Sequence, residues 1–181
     1  ITTVNATAAL PAGHEVARHQ ALILGLRDQR PISLAQAPIE ESTDAFLMVS
    51  PSTRWSLCRH TGFLVGCEYY GQPLLLGPVS DCFVRAPIDN DICSSEVDNP
   101  SPDAWLARWR DSGLFDLEHT CIDVTLSGGV VVSCHEYRGE EHGEVRCLMR
   151  SRWTHSFNVD GSVDVSVKVE ANESLLPLPR V

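Results

Sequence analysis

The pattern that most restricts this chain lies between Val145 and Glu170. Val145, Cys147, Met149, Ser151, Trp153, His155, Phe157 and Val159 alternate with Arg146, Leu148, Arg150, Arg152, Thr154, Ser156 and Asn158. That period of two puts a mostly apolar set on one face and a polar set on the other. Asp160-Gly161 follows as a two-residue hairpin signal. The return run puts Val163, Val165, Val167 and Val169 on one face and Asp164, Ser166, Lys168 and Glu170 on the other. An antiparallel sheet with one wetted face is the expectation.

Upstream, strand-like runs continue. Phe46 to Ser50, Arg54 to Arg59, Phe63 to Tyr70 and Leu74 to Leu76 are separated by Pro51-Ser52, Thr61-Gly62 and Gly71-Gln72-Pro73, and Gly77-Pro78 breaks the last. Cys82 to Arg85 also reads as strand. One helix interrupts the pattern. Ser101 is the expected N-cap, Pro102 the first helical residue and Gly113 the terminator. Trp105 and Trp109, at i and i+4, read first as core anchors, with sugar stacking as the sharper alternative. Two further strand-like runs, Ile1 to Leu10 and Glu15 to Leu26, flank Pro11-Ala12-Gly13. Two strands bury no core alone, so residues 1–27 read as the tail of another domain. Residues 28–42, with Pro31, Pro38, Glu40 and Glu41, read as a linker. The opening Ile1 and the closing Pro179-Arg180-Val181 read as cut ends. The fold class expected is all-β, an antiparallel β-sandwich with one short helix.

Charge narrows the function classes. A formal net charge of -10 and a pI near 5.0 argue against nucleic acid and anionic membranes, since both polyanions attract Lys and Arg. The seven Cys are odd in number and contain no C-x-x-C pair, so reduced, mostly buried thiols in a cytoplasmic protein are expected. The seven His form no H-x-x-x-H or H-E-x-x-H, so no metal site is expected. His135-Glu136 and Glu140-Glu141-His142, around Gly139, read as a solvated hairpin loop. Arg146, Arg150 and Arg152 read as a solvated or paired sheet face. The densest polar cluster, Asp89-Asn90-Asp91 with Glu96 and Asp98, reads as a polar turn in a loop. Glycosidases need two carboxylates at a fixed separation, and spacing alone does not make this cluster such a pair.

The stretch Phe83-Val84-Arg85-Ala86-Pro87-Ile88-Asp89-Asn90-Asp91 resembles the F-x-R-A-P-x-D-N-D signature of glycoside hydrolase family 2 β-galactosidases. Trp55, Thr61-Gly62-Phe63-Leu64, Gly71, Leu74-Leu75 and Pro78 upstream, and Asp103 to Trp109 downstream, agree with the same family in order and spacing. Val4 to Ala8 with Gly13-His14-Glu15 is similar to the closing strands of its immunoglobulin-like fourth domain. The resemblance implies that residues 43–181 are the first half of a fifth domain, a galactose-mutarotase-like supersandwich. It implies a non-catalytic part of an enzyme that hydrolyses terminal β-galactosides such as lactose. The catalytic glutamates, with magnesium and sodium, would sit mainly on a TIM barrel absent here, so no cofactor is expected in this segment. The implied partners are the remainder of the β-galactosidase chain or a catalytic subunit, the galactoside through it, and further copies of this chain.

The residues implied to border the substrate are Arg85, Asp89, Asn90, Asp91, Cys93, Ser95 and Glu96. They comprise the signature and the head of a mobile loop from Cys93 to about Pro102. Where the resemblance predicts Gly at the head of that loop, this chain has Cys93, which takes positive φ only at a cost. A free-standing sugar-binding module and the small subunit of a split β-galactosidase are the alternative readings.

Overall fold

Alternation decides the second half of the chain, and tight turns decide the first. The computed structural model describes residues 5–6, 11–12, 35–94, 99–141, 143–172 and 178–179, with Glu141 described by its backbone alone. The chain divides into two compact units, Ile1–Ser33 and Leu34–Val181. The expected strands in residues 1–26 lie almost wholly outside the described residues.

The second unit is a pair of antiparallel sheets. The first is a five-stranded meander: β1 (Glu40–Glu41), β2 (Ala45–Val49), β3 (Thr53–Cys58), β4 (Leu64–Tyr69) and β5 (Gln72–Pro73). The second holds β6 (Glu118–Ser127), β7 (Val130–Glu141), β8 (Glu144–Phe157) and β9 (Val163–Ala171) in sequence order. Gly128 and Gly129, both at positive φ, close the two-residue turn between β6 and β7. Among the described residues the helices are α1 (Asp89–Ile92) and α2 (Trp105–Asp111).

Packing follows the alternation, with one break. In β8, Met149, Ser151, Trp153, His155 and Phe157 are all buried, as the period of two requires. Leu148 was expected on the polar face, yet it is fully buried. The cause is a register shift: Tyr137 pairs with Met149 and Arg138 with Cys147, which makes Leu148 an extra residue in β8. An apolar cluster at one end holds Phe46, Met48, Leu57, Leu64, Val131 and Phe157, so side chains of both sheets meet there. A second cluster, at the other end of β7 and β8, gathers Phe83, Ile92, Leu106, Trp109, Leu114, Tyr137 and Met149. Each fully buried large apolar side chain contributes about 1.5–3 kcal/mol.

Several expectations need correction. Leu74 to Leu76 follow β5 without joining a strand, and Leu76 is fully exposed. Cys82 to Arg85 carry no strand ladder among the described residues. Helix α2 starts later than the Ser101 cap implied, with Ala104 as N-cap, because the Ala104 N–H closes a preliminary turn onto the Ser101 carbonyl at 2.9 Å. Of the tryptophan pair, Trp109 is buried, whereas Trp105 is 38% exposed and lies against the Arg108 guanidinium. Gly139 lies within β7, not in a hairpin loop. All seven cysteines are free thiols, but only Cys67 is buried. Residues 35–41, part of the expected linker, contribute buried Ala37, whose N–H reaches the Phe157 carbonyl, and the short strand β1.

Candidate functional site

The segment from Ser80 to Ile88 forms no helix and no strand ladder among the described residues, and it lies against the second sheet through Asp81 and Phe83. Side chains hold it instead. Phe83 is buried edge-on against Tyr137, centroids 4.9 Å apart. Arg85 donates to both oxygens of Asp91, at 2.6 and 3.0 Å, in the forked geometry that suits guanidinium and carboxylate. The Asp91 carboxylate also accepts the Ile88 N–H at 2.8 Å, so the third residue of α1 caps its own helix start. Arg85 Nε reaches the Pro179 carbonyl at 3.2 Å, and its guanidinium lies 5.6 Å from the Trp109 ring.

The densest polar cluster is therefore a one-turn helix, not a loop. Asp91 is buried and held below the usual carboxylate range by the Arg85 hydrogen bonds, which exceed the opposing effect of burial. It stays ionised and cannot deliver a proton as a general acid near neutrality. Asp89 and Asn90 are exposed on the other side of the same turn. Cys93 ends α1 in the left-handed region, φ 48° and ψ 30°, with its N–H on the Asp89 carbonyl. Ser95 and Glu96 lie outside the described residues.

A second constellation escaped the sequence reading. Between the two apolar clusters, the core faces of β7 and β8 carry Ser133, His135 and Ser151, all buried. Asp81, at the head of that segment, accepts from Tyr137 Oη at 2.6 Å, from Ser151 Oγ, and from Trp153 Nε1 at 3.1 Å. Burial, reinforced by the Asp81 carboxylate, pushes the Tyr137 phenol well above its ordinary pKa. Alternation within 130–141 could have revealed Val131, Ser133, His135 and Tyr137 as one face; Gly139 and the neighbouring charges obscured it.

Beside Asp81 runs a relay whose direction one group decides. The Gly62 carbonyl can only accept, so Ser133 Oγ donates to it at 2.8 Å. The Ser133 hydroxyl must then accept from His135 Nε2 at 2.9 Å, which leaves His135 Nδ1 to accept from His119 Nε2, also at 2.9 Å. Burial is the main cause that lowers the His135 pKa to about 4, with His119 adding to it. His155 is lowered to about 4, again by burial, and neither of its ring nitrogens has a hydrogen-bond partner among the described residues. The Val131 backbone favours its charged form without reaching hydrogen-bond geometry. Ser and His thus meet here, but Ser133 is fully buried and its proton is committed to a carbonyl, so it is no nucleophile. An open cleft of about 320 Å³ borders Asp81, His119, Tyr137 and Thr61.

The arginines of β8 and β7 are engaged locally. Arg150 and Arg138 both pair with Glu136, and Arg146 pairs with Glu144. The Arg152 guanidinium lies 3.7 Å from Cys134 Sγ. Among the described residues no group of three or more His, Cys, Asp or Glu converges as metal ligands. No described helix is long and apolar enough to cross a membrane.

Residues 50–181, which carry both constellations, match the family model described as Beta galactosidase small chain. The chain belongs to this family. It is 39% identical to a beta-galactosidase of Klebsiella pneumoniae over 188 aligned residues, covering 100% of this chain and 18% of that relative. A beta-galactosidase of Aeromonas hydrophila subsp. hydrophila is 34% identical over 93% of this chain and 16% of its own length. One from Vibrio vulnificus is 32% identical over 100% of this chain and 18% of its own. The chain therefore spans less than a fifth of the length of these relatives. In this member of the family, Phe83 to Asp91 form an internally braced unit closed by the Arg85–Asp91 pair.

Proposed function

We propose that this chain is a non-catalytic portion of a β-galactosidase that hydrolyses terminal β-galactosides such as lactose. Here the segment supplies sandwich structure and presents the Asp89–Cys93 turn at the substrate side. The observation that carries this reading is the Arg85–Asp91 pair within a chain matched to beta-galactosidases over its whole length. That pair commits Asp91 to structure and leaves Asp89 and Asn90 exposed on the turn. Retaining glycosidases use two carboxyl groups roughly 5–5.5 Å apart, one neutral and one ionised. Asp91 is ionised, which rules out the acid, and it is buried with both oxygens on Arg85, which leaves no oxygen free for the nucleophile's role.

Under the same reading, residues 43–181 are the first half of a supersandwich domain and residues 1–27 the end of an immunoglobulin-like one. The rest of the polypeptide supplies the glutamates and any magnesium or sodium, and the enzyme works in the cytoplasm. A separately encoded small subunit is the second reading, favoured by the words "small chain" in the family's description. Assaying a chromogenic β-galactoside with the isolated chain, the full-length protein, and the chain mixed with a separate catalytic subunit tests both. Turnover by the full-length protein alone supports the first reading; turnover only on mixing supports the second. Turnover by the isolated, rigorously purified chain overturns both.

A further inference from the structure

The segment Ser80 to Ile88 poses a problem of anchoring. Its residues border the proposed substrate side, yet among the described residues no strand ladder fixes them to the sheet beneath. Arg85 closes on Asp91 within the segment and its Nε reaches the Pro179 carbonyl, but neither bond is to β7 or β8, the strands beneath. Phe83 lies in an apolar cluster, and apolar contact is non-directional. A directional anchor is needed at the entry to the segment, and Asp81 stands there.

We propose that Asp81 is the positioning residue that sets the place of the Phe83–Asp91 segment on the second sheet. Through that segment it sets the turn at the proposed substrate side. This inference rests on the β-galactosidase reading above. Tyr137 projects from β7, and Ser151 and Trp153 from β8, and all three donate to the one carboxylate. The pairing register spreads these donors over three alternate rungs of one sheet face, Tyr137 with Met149, His135 with Ser151 and Ser133 with Trp153. A carboxylate offers two oxygens and no donor, so it accepts three convergent donors without conflict. One Asp81 oxygen takes Tyr137 and Ser151, and both oxygens lie 3.1 Å from the Trp153 nitrogen. The three bonds fix the carboxylate along and across the strands, and only one residue separates it from Phe83. The Arg85–Asp91 pair lies within the segment, whereas Asp81 bonds to side chains of two strands of the sheet.

The test uses the full-length protein with Asp81→Ala and Asp81→Asn. The carboxamide keeps an oxygen toward Tyr137 and Ser151 but turns a donor toward the Trp153 N–H, so its effect is intermediate. We expect the KM for a β-galactoside to rise about tenfold in Asp81→Ala and two- to threefold in Asp81→Asn. Simple loss of folded enzyme lowers kcat and leaves KM alone. Hydrogen exchange on the same proteins supplies a readout independent of turnover. We expect faster exchange at residues 82–91 in Asp81→Ala, with β7 and β8 still protected. An unchanged KM in both variants, or unchanged exchange across 82–91, overturns the inference. An inactive wild-type full-length protein overturns the β-galactosidase reading instead, and the exchange measurement still decides where Asp81 acts.

Discussion

The imidazole of His135 lies flat on the phenyl ring of Phe63, with centroids 4.4 Å apart and planes 2° from parallel. Phe63 leaves the turn that precedes β4, and His135 stands mid-strand in β7, so the contact joins the two sheets. The stack is apolar on one side and hydrogen-bonded along its edge to Ser133 and His119. Burial favours the neutral ring there.

Acid should therefore unfold this chain earlier than its carboxylates alone imply. His135 and His155 are each held near a pKa of about 4 when folded, against 6.5 for the free side chain. The unfolded chain binds protons that the folded chain refuses. Each histidine thus contributes stability that is complete above about pH 6.5 and disappears as pH falls toward 4, up to about 3 kcal/mol apiece. Denaturant titrations between pH 7.5 and 4.5 should show a decline that His155→Phe reduces. A pH-independent midpoint across that window would contradict the burial argument.

Gly62 should tolerate no side chain. Its φ is +71°, and an added Cβ would come within 2.7 Å of the Ser133 Cβ and 2.8 Å of the His135 Cε1. Backbone strain and overpacking together predict that Gly62→Ala costs about 2–4 kcal/mol. Thermal or urea unfolding checks this, with Gly71→Ala as a control, because that glycine shares the positive φ but has open space around it.

Cys93 occupies the left-handed region at φ 48°, where a Cβ costs about 1 kcal/mol. In the full-length protein Cys93→Gly should remove that cost and shift the balance of conformations at the end of α1. Under the proposed function, KM and kcat should change together by a fewfold, with the unfolding midpoint almost unmoved. Unchanged constants would mean that Cys93 keeps this φ throughout turnover.

The isolated chain should self-associate. Val165 and Val167 of β9 are 44% and 41% exposed although they share the core face, and among the described strands β9 is an edge of its sheet. Light scattering should show apparent mass rising with concentration toward that of a dimer or beyond. Val167→Lys should suppress the rise by placing a charge on the edge. A monodisperse wild-type monomer at high concentration would count against the prediction.

Much of the sheet was legible because alternation is a local code: β8 and β9 followed from which residues recur at every second position. Leu148 was not legible, since an extra residue in the strand depends on how the partner pairs. His135 was misplaced because charges around Gly139 resemble a loop, while their ion pairs with arginines of the same sheet form only after folding. Arg85, Asp89, Asn90, Asp91 and Cys93 came from a resemblance to known sequences, not from chemistry visible in their spacing. That Arg85 turns back onto Asp91 requires the helical turn between them. Asp81 lies outside the signature, and its three donors are distant in sequence, so no local pattern marks it.

Strand β8 sends Met149 into one apolar cluster and Phe157 into the other, with Ser151 and Trp153 bound to Asp81 between them. The two clusters therefore cannot melt as independent foldons. A one-residue slip of β8 would reverse every side chain along its length, withdrawing Phe157 and Met149 from the two clusters and parting Ser151 and Trp153 from the carboxylate at once. Cooperativity in this sandwich is thus carried by the register of a single strand, and partly folded states that keep one end while losing the other are disfavoured by the connectivity itself.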